Sequence, residues 1–187
     1  MGRIVVTEFI TLDGVIDDPG GAEAFERGGW AFRFERGAEG DQFKLDELMA
    51  ADAQLLGRKT YESFAAAWPE REDPMGFADK MNSMPKYVVS STITDPAWAN
   101  TTVIALDDVP SLRDRHDGDL LVAGSATLVR GLLERGLVDE LRLMVFPVVL
   151  GAGRRLFGEG EEIPFDLVET RQTGDVTLLR LVRKADA

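Results

Sequence analysis

The chain has 187 residues, 44% hydrophobic and 29% charged, with a formal net charge of −12, one histidine and no cysteine. That length and balance fit one soluble globular domain, and the missing thiols exclude disulfides, thiolate catalysis, Cys-ligated zinc and iron–sulfur clusters. The lone His116, set in a polar run, argues against a catalytic triad or a His-rich metal site, and the acidic excess argues against nucleic acid as a partner.

No apolar run approaches the roughly 18 residues of a membrane helix, and Met1-Gly2-Arg3-Ile4 leads straight into a strand-like run without the shape of a signal peptide. A cytoplasmic protein without a membrane partner is expected. Residues 4–10 are rich in β-branched side chains and predict a mostly buried first strand. Asp13-Gly14 and Pro19-Gly20-Gly21 then signal turns, with Asp13 read as a turn residue. Between 17 and 40, glycines mix with Phe25, Trp30, Phe32 and Phe34 without a period. Such a stretch is either a functional lid or an Ω-like loop held down by its own aromatics. Phe43, Leu45, Leu48 and Met49 recur at helical spacing and predict a helix over 41–51, with Asp41 placed to cap it. A short strand over 53–56 runs into Gly57-Arg58-Lys59-Thr60, and a helix over 60–67 stops before Trp68-Pro69.

After a charged loop, residues 77–84 predict a short helix halted by Pro85, and 86–91 a buried strand that ends in Ser90-Ser91. Residues 101–105 predict another strand, 108–114 a short helix with Pro110 in its first turn, and 120–123 a strand entering Gly124-Ser125-Ala126-Thr127. A helix over 128–135 closes on Gly136. A long strand over 140–149 and a hairpin of strands 165–172 and 176–182 complete the chain. Strands that alternate with helices, then strands alone, predict a single α/β domain over 1–187 with a mostly parallel central sheet and an antiparallel C-terminal edge.

Two strand-to-helix turns carry the chemistry. At Gly57-Arg58-Lys59-Thr60 an apolar strand meets one glycine, then cations and a hydroxyl open a helix. Positive side chains there add to the free N–H donors of a helix start, so an anion is the natural guest, although a surface turn with solvated cations has the same sequence. A P-loop is excluded because Arg58 separates Gly57 from Lys59, and a Rossmann fingerprint because neither the first strand nor Gly151-Ala152-Gly153 supplies its glycine spacing. The Gly124 turn is the second helix start, suited to a pyrophosphate held by N–H groups or, alternatively, to close strand-to-helix packing. A cationic turn for a monophosphate paired with an uncharged one for a pyrophosphate suits NADPH better than NADH.

Thr11-Leu12-Asp13-Gly14-Val15-Ile16, Leu56-Gly57-Arg58-Lys59-Thr60-Tyr61-Glu62, Lys86-Tyr87-Val88-Val89-Ser90-Ser91, Val122-Ala123-Gly124-Ser125, and Leu137-Val138-Asp139-Glu140-Leu141 with Pro147-Val148-Val149-Leu150-Gly151 follow one another here. In that order and spacing the chain resembles the dihydrofolate reductase-like superfamily, and within it the riboflavin-biosynthesis reductase C-terminal domain family. The resemblance implies a dihydrofolate reductase-like fold, a homodimer, and NADPH-dependent reduction of a small heterocyclic or ribosylaminopyrimidine-like substrate. It places Gly57, Arg58, Lys59 and Thr60 against the 2′-phosphate and pyrophosphate, Ser90 and Ser91 at the adenosine end, and Gly124, Ser125, Ala126 and Thr127 along the pyrophosphate. Phe9 and Ile16 would flank the nicotinamide. Many members carry Gly-Gly where this chain has Ala123-Gly124. Asp41 resembles the substrate-binding carboxylate of dihydrofolate reductases, and a buried carboxylate there could bind or protonate a pterin-like ring. Arg154 and Arg155 are candidates for a phosphoribosyl group, or are solvated. A catalytically inactive NADP-binding module or sensor is the alternative, and dihydrofolate is a less fitting substrate.

Overall fold

Alternation along the first strand builds a sheet with two buried faces. In this computed structural model, residues 1–184 are described. Strands β1 (Arg3–Thr11), β2 (Ala51–Gly57), β3 (Lys86–Val89), β4 (Thr101–Ile104), β5 (Asp119–Val122), β6 (Glu140–Phe146), β7 (Phe165–Thr173) and β8 (Val176–Arg183) form one sheet in the order β4-β3-β2-β5-β1-β6-β8-β7. The run from β4 to β6 is parallel; β8 and β7 close the edge antiparallel. The helices are α1 (Gly37–Ala50), α2 (Arg58–Ala67), α3 (Phe77–Ser83), α4 (Val109–Arg113) and α5 (Ala126–Glu134). The expected single α/β domain is what the chain forms.

Ile4, Val6 and Ile10 of β1 pack with Leu112 of α4 and Val129 and Leu132 of α5. Val5 packs on the opposite face with Leu48, Tyr61 and Met81 from α1, α2 and α3. Period-two burial in a strand sandwiched by helices produces this division. On the antiparallel side, Trp30 is fully buried and meets Phe146 edge-on at 5.2 Å, with Phe9 and Phe34 around the same ring. The aromatic stretch is therefore a loop fastened by its own rings, and residues Trp30–Arg33 form a 3-10 turn within it.

Local signals misplaced two boundaries by more than two residues. Helix α1 begins at Gly37 rather than at 41, because the β7–β8 turn holds its start: Thr173 Oγ1 donates to Arg36 O at 2.6 Å, and Asp175 N donates to Glu35 O at 2.7 Å. The strand expected over 140–149 ends at Phe146, just before Pro147, which has no N–H to give the ladder. Lys86 is fully buried and donates to the carbonyls of Met81, Asn82 and Met84 at 2.8, 3.0 and 2.8 Å, closing the end of α3. Burial pushes its ammonium down to about 8.

A charge network ties the antiparallel edge to the parallel sheet. Glu140 is buried and accepts from Arg142 Nε at 2.8 Å, Arg180 Nε at 2.9 Å and Arg3 at 3.2 Å. Arg142 also reaches Asp119 at 2.9 Å, and Arg180 reaches Glu169 at 3.2 Å. Burial alone would raise the Glu140 pKa, but the hydrogen bonds and charges of Arg142 and Arg180 outweigh it and hold it below the usual range.

Candidate functional site

Because β2 and β5 are neighbours, the helix starts that follow them lie side by side at the C-terminal edge of the parallel strands. Gly57 N donates to Gly124 O at 3.2 Å. A Cβ on Gly57 would collide with Ser125 Oγ and lie 3.0 Å from Ser125 N, while one on Gly124 would lie 2.8 Å from Thr60 Oγ1 and 3.3 Å from Glu8 Oε1. Gly124 also has φ +87, a conformation open chiefly to glycine, and its peptide bond to Ser125 is cis. Close approach is thus built into both turns. Neither α2 nor α5 has a side-chain hydrogen bond at its N-cap, so first-turn N–H groups remain for a ligand or water.

The sheet opens beside these turns. Strands β1 and β5 pair only as far as Val6 with Val122, whereas β1 continues to Thr11 paired with β6. Residues 7–11 therefore have no partner on their β5 side. The result is a notch in the sheet's pairing, bounded by the overhanging end of β1 and by the Gly124 turn that follows β5. Open parallel sheets bind ligands at such a break, beyond the carboxyl ends of the strands.

Arg58 and Lys59 are exposed at the start of α2, with Arg58 3.5 Å from Glu62 one turn on, and Thr60 is half-buried beneath them. Ala126 is buried and Thr127 exposed at the start of α5. Ser90 and Ser91 follow β3 on the same edge, since Gly57 pairs with Val89; Ser90 Oγ accepts from the N–H groups of Thr92 and Ile93 at 3.1 Å each. Phe9 and Ile16 belong to different clusters. Phe9 stacks in the aromatic group with Arg36 and Lys44 each 5.2 Å from its ring centroid, and Ile16 packs on the α5 side.

Asp41 needs correcting on both counts. Its side chain is 61% exposed and bonded to Arg36 at 2.8 Å, and it sits inside α1 rather than at its cap, so it is neither a buried carboxylate nor the N-cap. The earlier helix start, set by the distant hairpin, moves it there.

Comparison with known proteins accords with this geometry. The model of the RibD C-terminal domain matches residues 3–179. The chain belongs to the RibD C-terminal domain family. It is 30% identical over 177 residues to YyaP of Bacillus subtilis (strain 168), covering 90% of this chain and 88% of that one. Among solved structures it is similar to a Shewanella sp. PV-4 protein assigned to riboflavin biosynthesis, with TM-score 0.76, 22% identity and 98% and 99% of the two chains covered. It also resembles Enterococcus faecalis dihydrofolate reductase complexed with NADP(H), with TM-score 0.59, 14% identity and 98% of each chain covered. The dihydrofolate reductase-like fold is thereby established.

Within this RibD C-terminal domain, carboxylates other than Asp41 are the buried ones near the notch. Glu47 of α1 is buried and accepts from Thr7 Oγ1 at 2.6 Å and from Lys44. Glu8 of β1 has a shielded Oε1 that no hydrogen bond satisfies among the described residues. A lone carboxylate inside a β-branched strand was the sequence signal for Glu8. Asp13 is a structural clasp: its carboxylate accepts from Thr11 Oγ1 at 2.6 Å, Leu150 N at 3.1 Å and Gly151 N at 2.8 Å, and the Thr11 bond, foremost among these, holds it down to about 2. Arg154 is bonded to Asp17 through both N and Nε, at 2.7 and 2.9 Å, and Arg155 Nε donates to Asp13 O at 2.9 Å. Both arginines brace the loops around the β1 exit.

Proposed function

We propose that this protein is an NADPH-dependent reductase of a small heterocyclic or ribosylaminopyrimidine-like substrate. The observation that carries the reading is the pair of uncapped helix starts at Gly57 and Gly124, in contact with each other, with Arg58 and Lys59 on one of them. A ligand with separated phosphates fits that arrangement: Arg58, Lys59 and Thr60 hold a 2′-phosphate, and the N–H groups of Ser125, Ala126 and Thr127 hold a pyrophosphate. Ser90 and Ser91 lie at the adenosine end. The notch beyond Val6 accepts the nicotinamide, which supplies the hydride when bound. The family's riboflavin-pathway reductases support the reaction class, and the NADP(H) carried by the Enterococcus faecalis enzyme supports the cofactor.

Titration with NADPH and NADH tests this. NADPH is expected to bind more tightly, and Arg58→Ala to weaken NADPH about 10- to 100-fold, the loss of a charge-assisted phosphate contact of roughly 1.5–3 kcal/mol, with little change for NADH. Equal affinity for the two cofactors, or binding of neither, overturns the proposal.

A further inference from the structure

Glu8 occupies a place that strand packing does not account for. Val6 and Ile10, two positions either side of it in β1, sit in the apolar core against α5, whereas Glu8 carries a carboxylate. Its Oε1 has under 1 Å² of exposed surface and no hydrogen-bond partner among the described residues. A buried polar atom left unsatisfied costs roughly 1–3 kcal/mol, so a fold keeps one where a ligand completes it or where chemistry uses it. The surroundings favour a ligand. Glu8 is the second residue past the last β1–β5 pair, on the overhang that bounds the notch. Gly124 packs close against it: a Cβ there would lie 3.3 Å from Oε1 and 2.8 Å from Thr60 Oγ1. The carboxyl thus sits where the sheet break meets the helix starts assigned to the cofactor.

Resting on the reductase reading, we propose that Glu8 is the proton donor of the reaction, a carboxylic acid beside the nicotinamide position. Hydride with its electron pair adds to the carbon of a C=N or C=O bond in the substrate. The Glu8 O–H bond breaks, its proton goes to the adjoining nitrogen or oxygen, and its electrons stay on the carboxylate. NADPH ends as NADP⁺, and solvent returns the proton to Glu8 after product leaves.

Charged groups around the carboxyl come from separate elements: Lys44 and Glu47 from α1 and Glu23 from the loop before the 3-10 turn. Burial pushes the carboxyl up to about 8; Lys44 opposes this, and Glu23 and Glu47 add to it. At neutral pH the group is mostly protonated, as a donor must be. Reduced nicotinamide is neutral and tolerates the acid, whereas the oxidised ring is a cation and favours the carboxylate.

Calorimetric binding of NADP⁺ and NADPH, each in buffers of different ionisation enthalpy, tests this without a substrate. NADP⁺ is expected to release most of a proton at pH 7 and to bind about fivefold more tightly at pH 8 than at pH 7, while NADPH releases much less. Glu8→Gln should remove the difference between the cofactors and still bind NADPH. The fold of the variant is checked by its stability. Because the folded pKa of Glu8 is raised, its favourable contribution is complete below about pH 4.5 and is lost as pH rises through 8, so Glu8→Gln should outlast the wild type in urea above pH 8. Proton release unchanged in a folded Glu8→Gln, or absent from a wild type that binds both cofactors, overturns the assignment of Glu8 alone. Failure of the wild type to bind either cofactor overturns the reductase reading and Glu8 with it.

Discussion

Gly57→Ala is expected to weaken NADPH binding about 100-fold and to lower the urea midpoint of unfolding. The backbone at Gly57 has φ −78 and ψ 160, which alanine adopts freely, so the effect is steric. The new methyl would run into Ser125 Oγ and sit 3.0 Å from Ser125 N, a backbone atom that cannot swing aside. Ser125 is the N-cap of α5, so relief requires moving one helix start away from the other and stretching the 3.2 Å bond from Gly57 N to Gly124 O. Overpacking of this sort costs about 1–3 kcal/mol of stability. On the proposed cofactor reading binding suffers more, because phosphate contacts at both turns would depend on their spacing, and a loss of about 3 kcal/mol corresponds to two orders of magnitude in affinity. Gly160→Ala is the matched control, since nothing lies within 4 Å of its added Cβ. Unchanged NADPH affinity in a folded Gly57→Ala would mean that the two turns do not share a ligand.

Glu140→Ala should destabilise the protein by about 3–5 kcal/mol, the usual penalty for deleting one member of a buried ion pair. The carboxylate is 1% exposed and gathers guanidinium groups from β1, β6 and β8. Its removal strands Arg142, itself 8% exposed, with Asp119 as its nearest remaining partner at 2.9 Å. Urea melts at pH 7 provide the measurement, as guanidinium salts would screen the network. A loss of unfolding free energy under about 1 kcal/mol would show that the remaining acids suffice. The acid limb follows from the lowered pKa: the stabilisation from Glu140 is present above its unfolded value near 4.5 and is lost as pH falls through the folded one. Wild type and variant should therefore converge in stability in strong acid.

Much of this was written locally. Apolar runs that end in a glycine and a hydroxyl-bearing helix start marked both turns, and strand propensity located β1, β3, β5 and the hairpin. Side chains whose role depends on distant neighbours were illegible. Asp41 looked like a cap because residues 41–49 carry the helical period, but the contact between Arg36 and Thr173 starts the helix earlier. Phe9 packs with the aromatic loop and Ile16 on the α5 side, partners that their own segment does not announce. The importance of Glu8 depends on where β5 stops beside β1, a fact of sheet order that neither strand encodes alone. Arg154 and Arg155 read as phosphoribosyl candidates or solvated cations, and their bonds to Asp17 and to Asp13 O, far away in sequence, were not legible.

The turn between β7 and β8 binds the chain just ahead of α1 through Glu35, Arg36 and Asp175. During synthesis the aromatic loop and the start of α1 leave the ribosome well before the residues that fasten them. The start of α1 thus stays unfastened until the β7–β8 hairpin, 137 residues further on, has emerged, so its closure depends on long-range contacts.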